Sequence, residues 1–174
     1  MSSDTHGVTP IGRGAWASYL DEDLEKSEFE IVGNIAKLEP DIHLVFGFFS
    51  IVSINGKLIE DTQGDRISAE VLEESAYDFV LNARTGGDMH GTDSTTGLVR
   101  GVGRLVESIV FTEEKQAAMR AALQSQGVDA ELDLKCVCWW GGFKIDSEDT
   151  WKRITTGELR AFSIGGRGKR DKIE

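Results

Sequence analysis

"IHLVFGFFSIVSINGKL", residues 42–58, decides the fold class. A run this dense in Ile, Val and Phe favours a pleated strand, and Asn55-Gly56 is the dipeptide that a two-residue hairpin selects, because both positions need positive φ. The chain therefore turns straight back on itself. Strands joined by such a turn are antiparallel, whereas a doubly wound parallel sheet needs long crossovers. Upstream, "EIVGNIAKL" (30–38) reads as a further strand.

Downstream, "ISAEVLEESAYDFVLNAR" (67–84) changes period. Ser68 is a plausible N-cap, and Val71, Leu72, Ala76, Phe79, Val80 and Ala83 fall on one helical face, with Gly86-Gly87 as the expected stop. "GTDSTTG" (91–97) is a polar loop, and "LVRGVGRLVESIVFT" (98–112) is a strand whose glycines suggest close backbone approach or curvature. Thr112 caps a second helix that runs to about Gln126 and is ended by Gly127. "ELDLKCVCWWGGFKI" (131–145) is a strand, Asp146 or Ser147 opens a short helix around Trp151, and "ELRAFSIGG" (158–166) is the last strand. The expectation is an α+β domain: a strongly curved sheet or β-barrel flanked by about three helices. Residues 31–174 form that single domain. Residues 1–30, with "SYLDEDLEKSEFE", read as an acidic arm outside the core.

Composition narrows the function. A net charge of −11 over 174 residues disfavours nucleic-acid binding, which depends on Lys and Arg neutralising phosphates. No apolar run is long enough for a membrane-spanning helix, and the N-terminal stretch lacks the apolar core of a signal peptide. Cys136 and Cys138, the two cysteines, offer neither a zinc framework nor a disulfide scaffold and read as packing residues. No cofactor or metal is expected. "GRGK" near the C-terminal end resembles the close of a phosphate loop, but Ser163 stands where the first glycine should be and Arg170 where a Ser or Thr should be.

The residues suited to chemistry are few. His6 lies in the leader and His43 in a strand, both with structural readings, whereas His90 ends "TGGDMH" at the mouth of the polar loop. Ser163, in "RAFSIGGRGKR" (160–170), is followed by Gly165 and Gly166, whose N–H groups no Cβ shields, and by the positive Arg167. A serine nucleophile needs such oxyanion donors and a base within hydrogen-bond reach. Ser108 is a rival nucleophile without glycines after it; its neighbour Glu107 is a candidate carboxylate to orient His90, and Asp65 is another.

In order and spacing, "LVFGFFSIVSINGKLIEDTQGDRISAEVLEESAYDFVLNARTGGDMH", "GRLVESIVFTEEKQ", "WWGGFKI" and "WKRITTGELRAFSIGGRGKR" resemble the XkdF-like phage serine protease family. The likeness runs from about Ile35 to Lys172. That family is related to the prohead proteases of tailed phages and to herpesvirus assemblin. The resemblance implies a β-barrel flanked by helices and a serine endopeptidase, with His90 as base and Ser163, in "SIG", as nucleophile. It also implies scaffold and major capsid proteins as substrates, a homodimer or assembly-dependent oligomer, and a place in the host cytoplasm inside the prohead. In relatives an acidic residue comes from an "EIS"-like strand after the serine. The sequence reaches Glu174 without one, which leaves several alternatives: Glu107, Asp65, a carboxylate beyond Glu174, a Ser–His dyad, or a non-catalytic assembly protein that keeps the fold.

Overall fold

In a computed structural model of the protein, residues 7–10, 35–60, 66–92 and 99–165 are described, with the backbone path alone at 7–10, 88–92, 99–100 and 163–165. The elements are β1 (Gly7–Pro10), β2 (Ile35–Glu39), β3 (Leu44–Ile54), β4 (Lys57–Leu58), α1 (Ala69–Asp78), β5 (Thr85–Thr92), β6 (Val99–Phe111), α2 (Glu113–Ser125), β7 (Cys136–Ile145), α3 (Glu148–Thr155) and β8 (Phe162–Gly165). The expected hairpin forms: Asn55 and Gly56 take φ of 49° and 75°, and β4 pairs antiparallel with β3.

The fold is α+β. One sheet holds the eight strands of the described residues in the order β2-β3-β7-β6-β5-β1-β8, with β4 beside β3. Every pairing is antiparallel except that of β1 with β5. Register shifts interrupt several ladders, and each such bulge adds twist. Curvature brings the two ends of the order near each other: the Ile35 N–H, at the start of β2, donates to the Arg160 carbonyl just before β8, at 2.7 Å. No described ladder joins β2 to β8, so the sheet is curved but not shown to be closed.

Period-two alternation in β7 sends Val137, Trp139, Phe143 and Ile145 into the core. There Phe49 meets Trp139, Phe143 and Phe162 with ring centroids 5.3, 5.3 and 4.8 Å apart, and Phe79 adds an edge contact to Trp139 at 5.7 Å. Large apolar side chains contribute about 1.5–3 kcal/mol each on full burial, so this cluster is the main stabilising unit. Leu72, Ala76 and Phe79 bring in α1 and its extension; Trp151 and Ile154 bring in α3. Ser68, Thr112 and Ser147 cap the three helices, accepting from the N–H groups of Val71, Lys115 and Thr150.

Three local expectations change. Val71, expected on the buried face of α1, is half exposed, which leaves a narrower stripe of Leu72, Ala76 and Phe79. The helix does not stop at Gly86-Gly87. It widens into one π-turn, Phe79–Ala83, and ends at Arg84, whose N–H donates to the Phe79 carbonyl from a left-handed conformation (φ 59°). Both glycines belong instead to β5, opposite Gly103 and Gly101. Finally, residues 7–10, expected within an arm outside the core, form β1; the remainder of that segment lies outside the described residues.

Gly141 and Gly142 are small because aromatic rings lie on both faces of β7. A Cβ on Gly141 would sit 2.4 Å from the Phe49 ring and 2.7 Å from the Glu107 carbonyl; one on Gly142 would sit 2.4 Å from the Phe46 ring. Phe49 is locked in the core, whereas Phe46 is only half-buried. Gly141→Ala should therefore cost at least about 1–3 kcal/mol, as overpacking does, and Gly142→Ala less. Urea melts of the two variants check the ranking, and equal losses would refute it.

Candidate active site

His90 and Ser163 sit on the two strands that flank β1. Ser163 is the second residue of β8, directly opposite Thr9 in an antiparallel ladder that runs Gly7–Gly165, Val8–Ile164, Thr9–Ser163, Pro10–Phe162. β5, which carries His90, runs parallel to β1 on its other side, with Val8 level with Gly86. His90 lies in the least regular part of β5, where five steps from Gly87 to Thr92 match two steps from Gly101 to Val99 on β6. It lies in a bulged strand end, a setting that often re-aims side chains next to active sites, and the loop at whose mouth it was expected lies, beyond Thr92, outside the described residues. In a flat sheet the two backbones would stand about 10 Å apart across two strand spacings, with three residues of offset, about 10 Å, along the strand. Curvature and the bulge alter that figure, and β1 occupies the row between them.

What anchors Ser163 is its neighbour. The Phe162 ring is fully buried against Phe49 and Phe143, so alternation fixes the path of β8 from within the core. Of the proposed oxyanion residues, Gly165 ends β8 opposite Gly7; Gly166 and Arg167 lie outside the described residues, as do Asp65 and His6.

Glu107 is placed elsewhere. It pairs with Gly142, is exposed, and lies near Lys37, whose amine is held above its ordinary range chiefly by the hydrogen bond and charge of Glu39 and, least of all, by Glu107. On β6 the positions level with His90 lie between Gly101 and Val99. Glu107 is thus at least six residues along that strand, roughly 20 Å at ~3.3 Å per residue, far outside the ~3 Å of a hydrogen bond. The register separates it from His90, and pairing rules within one strand could not reveal this.

The rival Ser108 faces inward, where its hydroxyl accepts from the Trp139 indole N–H at 2.9 Å. It satisfies a buried donor. His43, expected within a strand, lies instead in the turn just before β3, where it adopts a left-handed conformation and stacks on Trp151 at 4.6 Å and 13°. Among the described residues no group of three or more His, Cys, Asp or Glu could hold a metal ion, and no helix is long and apolar enough to cross a membrane.

A family model described as "Putative phage serine protease XkdF" matches residues 31–172. The chain belongs to that family. Comparison with curated proteins found no match, and comparison with solved structures found none. The matched region takes in β5 and β8 with both His90 and Ser163, and leaves β1 outside.

Two substitutions separate structural from catalytic roles. Ser108→Ala should lower stability by about 1–3 kcal/mol, the cost of leaving the Trp139 indole unpaired, without changing the active-serine content. Glu107→Gln should leave proteolysis unchanged in the assay described below; a hundredfold fall in turnover would return it to the site.

Proposed function

We propose that the protein is a serine endopeptidase of phage head maturation, cleaving scaffold and capsid proteins with Ser163 as nucleophile and His90 as base. The observation that carries this reading is the family match that spans both residues. The finer fold that accompanies it is a barrel of the prohead protease and assemblin kind, toward which the Ile35–Arg160 hydrogen bond between the sheet's two ends is a first step.

In this reading His90 takes the Ser163 proton as the hydroxyl oxygen attacks a peptide carbonyl. The N–H groups of Gly165 and Gly166 receive the oxyanion, with Arg167 adding positive charge. His90 then gives its proton to the leaving amine, and water, deprotonated in turn by His90, releases the acyl group. With Glu107 remote, a Ser–His dyad or a carboxylate outside the described residues completes the site. Extended peptides commonly bind by adding a strand to a sheet, and β1 already lies in the row between β5 and β8. A substrate strand taking that row would run along Ser163 and beside the strand of His90. Activity is tied to assembly inside the prohead or to dimerisation, with the partly exposed Met119 and Leu123 on α2 as apolar contacts available for it.

Co-expression with the phage's scaffold and capsid proteins, followed by intact mass, tests the reading. Wild type should process them, and Ser163→Ala and His90→Ala should abolish processing. Uncut proteins in all three, together with no labelling by a fluorophosphonate at high protein concentration, would favour a binding role in capsid assembly, which the filled row between β5 and β8 would suit. Deleting residues 1–10 should raise cleavage if β1 holds the substrate's place. A fall in cleavage with an unchanged melting temperature would mean that β1 completes the site.

A further inference from the structure

Far from β1 in the strand order, the beginning of β7 holds both cysteines of the chain. Two residues apart on a strand, Cys136 and Cys138 project from the same face, and their sulfurs lie 3.5 Å apart. Their surroundings differ sharply. Cys138 is fully buried beside Ile51 and Phe111 in the ladders, whereas Cys136 is half-buried. Cys136 also lines an open cleft of about 500 Å³, between the hairpin tip at Asn55, the α2 residues Glu113, Gln116 and Arg120, and Lys135. Its backbone is held firmly: the Gln116 side chain donates to the Cys136 carbonyl and accepts from the Leu134 N–H. Lys135, directly before it, adopts a left-handed φ of 55°.

The geometry points to a dithiol redox couple: Cys136 is the thiol that meets a small-molecule disulfide in the cleft, and Cys138 is the thiol that resolves the mixed disulfide. Cys136 is prepared for the first role by the thiol–thiol hydrogen bond with Cys138, which lowers its pKa against the opposing effect of burial. Cys138 is held protonated by that same hydrogen bond, by burial and by the charge that Cys136 acquires. The Cys136 thiolate attacks one sulfur of the disulfide, forming a protein–small-molecule bond and releasing one small thiolate. Its negative charge is then gone, and Cys138 loses its proton to the released thiolate. Cys138 then attacks the Cys136 sulfur, expelling the second thiolate, which takes a proton from water. In total the protein loses two electrons and two protons, and one disulfide becomes two thiols.

Closure strains the strand. Two strand residues span about 6.6–6.8 Å, at the upper edge of the ~4.4–6.8 Å between α-carbons that a disulfide accepts. A strained bond is easily reduced, so the pair suits reversible oxidation better than permanent stapling. The cleft does not select strongly for charge: Lys135 pairs with Asp133, Arg120 donates to the Leu132 carbonyl, and Glu113, on the same helix as Arg120, also lines it. Access to Cys136 and the nearness of Cys138 carry the chemistry.

The test is incubation of the folded protein with oxidised glutathione, acid quench and intact mass, with peptide mapping across residues 136–138. Wild type should lose two hydrogens as a monomer and regain them with excess reduced glutathione. Cys138→Ala should stop with one glutathione attached, and Cys136→Ala should not react. A wild type that accumulates a stable glutathione adduct, forms a dimer through an intermolecular disulfide, or stays unmodified while a urea-unfolded sample reacts would overturn the couple. If Cys138→Ala does not fold, the wild-type mass and mapping decide by themselves, because the chain has no other cysteine.

Discussion

The burial of Phe162 is the contact on which the Ser163 end of the sheet depends. Its ring meets Phe49 at 4.8 Å and Phe143 at 6.1 Å, which ties β8 to the core strands β3 and β7 although β1 is the strand it pairs with. A four-residue strand has too few hydrogen bonds to hold its register unaided. One wholly buried aromatic ring sets it, because a slip by a single residue would move Phe162 to the other face and put Ser163 in its place. The position of Ser163 is therefore a result of core packing.

Phe49 has a second consequence. Its ring lies so close to β7 that Gly141 tolerates no Cβ, and the backbone of β6 closes the same space from the other side through the Glu107 carbonyl. The middle of the sheet thus owes its tight packing to an aromatic residue set against a missing side chain. Glu107 takes part through its backbone there, while its carboxylate faces outward.

Features with a local cause were legible in the sequence. The strand before Asn55-Gly56, the three helices with their Ser or Thr caps, and the Gly127 stop all follow from period, capping and turn chemistry within a few residues. The π-turn and the left-handed Arg84 were not, since a glycine pair two residues later is the stronger textual signal for a helix end. The pairing of residues 7–10 is set by partners far along the chain, and a short run containing Gly and Pro carries no strand signal of its own. For the candidate site, the residue types at His90 and Ser163 could be read from motifs. The distance of Glu107 could not, because it depends on bulges that shift β5 against β6.

The pairing of β1 with β8 also bears on the timing of synthesis. Thr9 and Ser163 stand opposite each other from nearly the two extremes of the described chain, and such non-local pairs form late because loop closure must come first. During translation β1 emerges before the other described strands and has no β8 to join until all of them have been made. The row in which Ser163 lies is consequently the last part of the described sheet to form, and over the 73 residues that separate His90 from Ser163 a nascent chain carries the His90 strand with no Ser163 strand beside it.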